Sequence, residues 1–262
     1  MSRRSTIRRT PLDYNLFIDN MADVYPTPED FASGFLESGT GDPYLATNIS
    51  YYDISGNDIS IRLERDIIVS VGTTPFQATN IVRIEDVDRV WDSISTSQWQ
   101  FRNCLLLERV ILPEVTFTGH SIFSNTPSLI TVELGTLDEI KFAMFRNSAV
   151  NTFFNETSGS VFFESFAGCT ATSIDLPNLT GIQGFTLDGV CRSFKDTTNL
   201  TTLNIPSVTT IGDDPAIDRD VFTNINTGCT INFNSSLSTA NAGNPHAAVQ
   251  YCIDRGCTVN FV

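Results

Sequence analysis

From residue 101 onward, hydrophobic positions return in a fixed order. Phenylalanine marks the register: Phe101, Phe123, Phe145, Phe166, Phe194 and Phe222 stand 22, 22, 21, 28 and 28 residues apart. After each comes a polar turn, a leucine-like residue, two apolar positions separated by one residue, a Pro or Gly, and a short apolar–Thr segment. One copy runs from Phe101 through Leu107, Val110, Leu112 and Pro113 to Val115; another runs from Phe194 through Leu200, Leu203, Ile205 and Pro206 to Val208. A weaker copy starts at Phe145, with Val150 and Phe153 in the apolar slots. Gly228-Cys-Thr-Ile-Asn-Phe233 returns 28 residues later as Gly256-Cys-Thr-Val-Asn-Phe261. Alternation such as Val110-x-Leu112 predicts a short strand with one face buried. The Pro or Gly behind it stops ladder pairing and turns the chain. Such a coil cannot bury its apolar side alone, so successive coils must stack and share one core, with the phenylalanine filling it at the turn opposite the strand. The 28-residue spacings predict short helices or loops inserted around 183–193 and 212–221.

Phe101-Arg-Asn-Cys104 with Leu107, and Phe166-Ala-Gly-Cys169 followed by Ile174-Asp-Leu-Pro177, resemble the coils of BspA-like leucine-rich repeats. The resemblance covers roughly residues 95–262 and departs at Phe145–Phe154, where the Leu and Pro are missing and a bulge is expected. It implies a mainly β protein, a leucine-rich-repeat β-solenoid of about 6–7 coils over residues 96–262. Folds of this type commonly bind through their strand face. The segment with Leu237, Asn241-Ala-Gly-Asn-Pro245 and Gly256–Val262 further resembles the last coil of phage-encoded repeat proteins of this family.

The first hundred residues are off-register. Residues 41–95 read as a β-rich N-terminal cap that shields the first strand's edge. It contains a hairpin from Tyr51 to Leu63 around Ser55-Gly56-Asn57, and Phe76, Ile81 and Ile84 mimic an imperfect first coil. Residues 1–40 read as an extended arm, with Leu16–Val24 forming one or two helical turns. Its anchoring candidates are Arg3, Arg4, Arg8, Arg9, Tyr14 and Phe17. The aromatic segment is either a docking element for another protein or a strap folded back on its own repeats. The arginines are either a solvated end or a contact for an acidic partner or nucleic acid.

Composition narrows the class. With 41% apolar and 18% charged residues the chain is globular. The net charge of −14 argues against binding DNA or an anionic membrane over most of the surface. The charge is divided: outside the first ten residues, 12 basic side chains face 30 acidic ones. No stretch is long and apolar enough to span a bilayer, and the arginine-rich start lacks a signal-peptide core, so export by an encoded signal is not expected. Six cysteines without a Cys-x-x-Cys suit a reducing compartment.

Chemistry is sparse. His120 and His246 fall in expected turns without ligands at metal spacing and read as ordinary loop histidines. Cys229 and Cys257 share a slot on adjacent rungs, within reach of a disulfide or forming a ladder of buried thiols. The cluster Asp213, Asp214, Asp218 and Asp220 lacks the EF-hand pattern; it is a solvated loop or an adventitious Ca²⁺ site. No nucleophile elbow, phosphate loop or His-Glu-x-x-His occurs. A non-enzyme without cofactor or resident metal is expected. The candidate site is instead the outward residue of each strand: Ile111, Glu133, Phe154, Asp175, Asn204, Asn232 and Asn260. The Asn end reads as a structural amide ladder. Glu133, Phe154 and Asp175 are the partner-binding candidates. The expected role is a structural virion protein of a tailed bacteriophage, held to the capsid or tail by its arm and displaying the solenoid for decoration or adhesion. Expected partners are other virion proteins, a host surface glycan or protein, or a second copy, with no membrane insertion. The alternative is a cellular leucine-rich adhesion or scaffold protein, in the bacterial cytoplasm or at the cell surface.

Overall fold

A computed structural model describes residues 16–37, 41, 43–64, 67–69, 76–86, 93–95, 98–117, 119–135, 137, 139–153, 159–184, 190–212 and 220–262. The described chain is mainly β. It opens with β1 (Leu16–Ile18), α1 (Pro28–Ala32), β2 (Phe35–Glu37), β3 (Ile49–Ser55), β4 (Asp58–Leu63) and β5 (Ile67–Val69). β3 and β4 form the expected hairpin, and Gly56 at φ +67° starts its two-residue turn, a conformation that costs glycine nothing. Ile59, Ile61 and Leu63 alternate inward along β4.

Leu16–Val24 is not helical. Leu16 and Ile18 are wholly buried on either side of half-buried Phe17, a period of two. β1 runs antiparallel between β4 and β6 (Arg83–Asp86). It therefore covers the edge of β6, whose N–H and C=O groups would otherwise stand unpaired. α1 begins at Thr27, whose hydroxyl accepts from the Asp30 N–H, with Pro28 in the first helical position. Phe31 stacks on Phe35 at 4.6 Å, and Tyr25 and Phe35 reach Phe76 at 6.2 and 6.3 Å. From Leu16 to Glu37 the segment expected as part of an arm pairs and packs with the body, in line with the strap reading. Tyr25, Phe31 and Phe35 are core residues.

From β6 each repeat gives one strand and, in most cases, a shorter second one. The first series continues with β8 (Arg109–Leu112), β10 (Thr131–Leu134), β12 (Thr152–Phe153), β14 (Ser173–Asp175), β16 (Thr202–Ile205), β18 (Thr230–Phe233) and β19 (Thr258–Phe261). The second comprises β7 (Ser93–Ser95), β9 (Val115–Phe117), β11 (Glu139–Ile140), β13 (Ser160–Val161), β15 (Gly181–Ile182) and β17 (Thr210–Ile211). Neighbours within each series pair in parallel, except that among the described residues no pairing joins β12 to β14 or β9 to β11. Equivalent residues face each other, as in Ile84–Val110–Val132 and Ile174–Leu203–Ile231–Val259. β6, β8, β10 and β12 share a sheet with β1, β4 and β3, while β14, β16, β18 and β19 form another.

The aligned phenylalanines are buried. Phe76, Phe101, Phe123, Phe145, Phe166, Phe194 and Phe222 stack ring on ring, with centroids 5.1–5.7 Å apart and interplanar angles of 19° or less. Phe145 takes its place without a break, so no bulge displaces its ring. Phe76 belongs to the same stack, so the repeats begin before residue 95. Three residues after the Phe, a buried Thr126, Ser148 or Thr197 hydroxyl donates to the carbonyl of Phe123, Phe145 or Phe194 at 2.7–2.8 Å. That bond offsets the cost of burying the hydroxyl. Two residues after the Phe the backbone is left-handed, and the position holds Asn103, Asn125, Asn147, Gly168, Asp196 and Asn224. These types tolerate that conformation best. The insertions expected at 183–193 and 212–221 lie largely outside the described residues.

Candidate functional site

The first series of strands presents two outward columns. One holds Arg83, Arg109, Thr131, Ser173, Thr202, Thr230 and Thr258. The other holds Glu85, Ile111, Glu133, Asp175, Asn204, Asn232 and Asn260, in register from rung to rung within each sheet. Of the expected partner-binding residues, Glu133 lies half-buried on β10 opposite Ile111, and Asp175 lies exposed on β14. Phe154 lies outside the described residues.

The two ends of the face differ in chemistry. At the N-terminal end Arg109 Nε meets Glu85 Oε1 at 2.9 Å, and Arg83 lies 3.7 Å from Asp19 and 4.0 Å from Glu85. The same Arg83 guanidinium covers the Phe17 ring at 4.7 Å, so one face of this anchoring candidate is occupied within the chain. Arg3, Arg4, Arg8, Arg9 and Tyr14 lie outside the described residues. At the C-terminal end the amides form a directed ladder. Asn260 Nδ2 donates to Asn232 Oδ1 at 2.9 Å, Asn232 Nδ2 to Asn204 Oδ1 at 3.1 Å, and Asn204 Nδ2 to Asp175 Oδ1 at 2.7 Å. Asp175 is the terminal acceptor of this chain, so its carboxylate is already engaged on one side. The Glu133 side chain makes no hydrogen bond or ion pair with another described residue.

Residues 69–189 match the family model of the BspA type leucine rich repeat region, in six copies. The matched repeats begin earlier than residue 95, in line with Phe76 joining the ring stack, and the same ladder of strands continues past residue 189 through β16, β18 and β19. No curated protein and no solved structure matches the chain. The repeats point to protein–protein interaction or adhesion.

The histidines do not come together. His120 is half-buried, its ring edge-on to Trp99 at 5.9 Å and to Phe142 at 5.7 Å. Burial, then the charge of Arg102, holds its pKa below the usual histidine value. His246 is no ordinary loop histidine. It is buried at the N-terminus of α2 (Ala247–Asp254), where Nδ1 accepts from the Ala248 N–H at 3.2 Å. Its other nitrogen therefore carries the proton and donates to Ile211 O at 2.9 Å, in the place a further strand beside β17 would take. A hollow of about 200 Å³ lies there, lined by Thr209 to Gly212, Leu237, Ala240 and His246. With both ring nitrogens committed, His246 is a structural plug for that edge.

Among the described residues no group of three or more His, Cys, Asp or Glu is arranged to hold a metal, and no helix is long and apolar enough to cross a membrane. Asp213, Asp214 and Asp218 lie outside the described residues, while Asp220 approaches Arg192 at 3.8 Å. Sequence reasoning missed the Thr column, although its signal stood two residues before each outward Asn. It also missed a half-exposed file of Trp99, His120, Phe142 and Phe163, because these precede the ladder phenylalanines by two residues in one coil and three in the others. Phe142 and Phe163 stack at 5.4 Å there.

Proposed function

We propose that the chain is a non-enzymatic binding protein whose repeats stack into a leucine-rich β-solenoid, with the N-terminal strands as its cap and the strand face as its contact surface. The observation that carries this reading is the outward column from Glu85 to Asn260. It is held in register by parallel pairing within each of two sheets and offers a broad polar surface suited to contact with another macromolecule. The working end is the stretch around Ile111, Glu133 and Asp175, where an apolar and an acidic position precede the self-satisfied amides. The partner is a protein or a surface glycan.

The setting we propose is a tailed-phage particle, attached through the residues before Leu16 and displaying the repeats outward. The division of charge supports it, with arginines at positions 3, 4, 8 and 9 ahead of an acidic body. The cellular adhesion or scaffold reading gains from the packing of residues 16–37, which leaves a shorter segment to dock. Two variants separate surface from anchor. Glu133→Lys with Asp175→Lys is expected to abolish adsorption of the purified chain to its target cells while its circular dichroism stays unchanged. Removal of residues 1–15 is expected to leave adsorption intact but prevent incorporation into particles. Adsorption indifferent to both face substitutions would overturn the binding-face reading. Absence of the chain from purified particles would overturn the virion setting.

A further inference from the structure

Three cysteines from three elements meet at the C-terminal rungs. Cys229 precedes β18 and Cys257 occupies the equivalent slot before β19, where the Thr258 N–H donates to Cys229 O at 2.9 Å. Cys252 sits in the last turn of α2. That helix ends in a paired-bond motif: the Gly256 N–H donates to Ile253 O at 2.9 Å and the Cys257 N–H to Cys252 O at 3.0 Å, with Gly256 at φ +85°. A contact between the side chains at the two ends of the longer bond frequently accompanies a helix closed in this way. Here those side chains are two thiols. Cys229 and Cys252 are wholly buried, whereas Cys257 is half-exposed, so one sulfur of the three meets solvent.

The electrostatics divide the roles in the same way. The hydrogen bond from Cys252, assisted by the charge of Arg255, holds the Cys257 thiol down to about 7 against the opposing effect of burial. Burial and the neighbouring Cys257 push Cys229 up to about 12. At neutral pH Cys257 therefore carries on the order of tenfold more thiolate than an ordinary cysteine of pKa about 8.5.

We propose that Cys257 and Cys252 form a thiol–disulfide exchange site for low-molecular-weight disulfides such as oxidised glutathione, Cys257 attacking and Cys252 resolving. The Cys257 thiolate attacks one sulfur of the reagent, its S–S bond breaks, and one thiolate leaves. The Cys252 thiol then loses its proton to solvent and its sulfur attacks the Cys257 sulfur of the mixed disulfide, expelling the second thiol. Two protein thiols thus yield two electrons to the reagent and two protons to its products and solvent, and the new bond staples α2 to β19. This site is independent of the strand face.

The test exposes the full chain to oxidised glutathione at pH 7.4, quenches with acid, and maps adducts by mass. The expected result is a glutathione adduct at Cys257, followed by an internal Cys252–Cys257 bond. Cys252→Ser is expected to trap the adduct and Cys229→Ala to leave the reaction unchanged. In the unaltered chain, alkylation of Cys257 by iodoacetamide should reach half its maximal rate near pH 7. Modification of Cys257 no faster than that of buried Cys104 and Cys169, an internal bond to Cys229, or an alkylation midpoint above pH 8.5 would each overturn the proposal.

Discussion

Phe145 tests the stacked core most directly. Its ring is fully buried between Phe123 and Phe166, at 5.4 Å from each and within 4° and 19° of parallel. Phe145→Ala removes the ring and leaves a cavity, a change that costs about 3–5 kcal/mol in cores. Phe145→Leu keeps most of the volume and removes the two ring pairs, at about 0.5–1.5 kcal/mol each beyond burial. The decisive quantity is the coupling. A double-mutant cycle on Phe123→Leu and Phe145→Leu should return roughly 0.5–1.5 kcal/mol. The same cycle on Phe123→Leu and Phe194→Leu, whose rings are separated by two others, should return less than about 0.5 kcal/mol. Urea unfolding followed by circular dichroism gives the free energies. Arrays of repeats can unfold piecewise, so hydrogen exchange at the Phe123 N–H, bonded to Met144 O, and the Phe145 N–H, bonded to Ser165 O, supplies the local readout. Equal coupling for the adjacent and the remote pair would mean that the rings act as independent core residues, and the nearest-neighbour reasoning would fail.

Asp19 predicts a pH dependence. Burial first, then a hydrogen bond and charge from Asp58, raise its pKa to about 6 against the pull of Arg83. A carboxyl whose folded pKa lies above its unfolded value of about 3.9 adds stability below that value and loses it as pH rises through the folded pKa. The urea midpoint should therefore fall between pH 4 and pH 7, and Asp19→Asn should flatten that slope; an unchanged slope in the variant refutes the assignment. The amide ladder predicts an asymmetry. Asn232→Asp cannot donate to Asn204 and should cost about 1 kcal/mol, whereas Asp175→Asn, at the accepting end, should be near neutral by thermal melting. Gly168 sits at φ +67° with a Cβ position inside van der Waals contact of Asn147 Oδ1. Gly168→Ala should destabilise by about 1–2 kcal/mol, and a melting temperature equal to that of the unaltered chain would contradict the crowding.

The repeat was legible because its signal is periodic and chemically uniform. Phe101 to Phe222 mark one position of each coil, and Val110-x-Leu112 or Leu203-x-Ile205 marks the strand. The ladder direction of the Asn column was half legible: Asn204, Asn232 and Asn260 announced it, but Asp175 counted as a separate acid because its role as terminal acceptor depends on a 2.7 Å contact across rungs. The N-terminal region was not legible in the same way. Leu16-Phe-Ile18 is too short for periodicity to choose between strand and helix, and its pairing with β4 and β6 is a long-range event. His246 was read as a loop histidine because Asn-Pro-His reads as a turn, whereas the turn lies at Ala242-Gly243 and His246 caps α2. What sequence could not supply was the edge of β17 above which the turn folds.

The two sides of each strand face different demands. An inward residue must match its neighbours one rung up and one rung down, and Ile84, Val110 and Val132 or Leu203, Ile231 and Val259 are all aliphatic for that reason. An outward residue carries little stability of its own unless it joins a ladder, so Glu85, Ile111 and Glu133 can differ in kind at equivalent positions. Where the outward column does become a ladder, from Asp175 to Asn260, the amides commit their donors to one another. In the N-terminal half Arg83, Glu85 and Arg109 are engaged in ion pairs, so Glu133 beside Ile111 is an acid of the face outside both the ladder and those pairs. A ligand at the amide end would meet side chains already ordered by the ladder bonds, and one at the Ile111–Glu133 region would meet an apolar and an acidic side chain outside that ladder. That asymmetry supports the proposed contact surface near the middle of the repeats, away from the Asn-rich end.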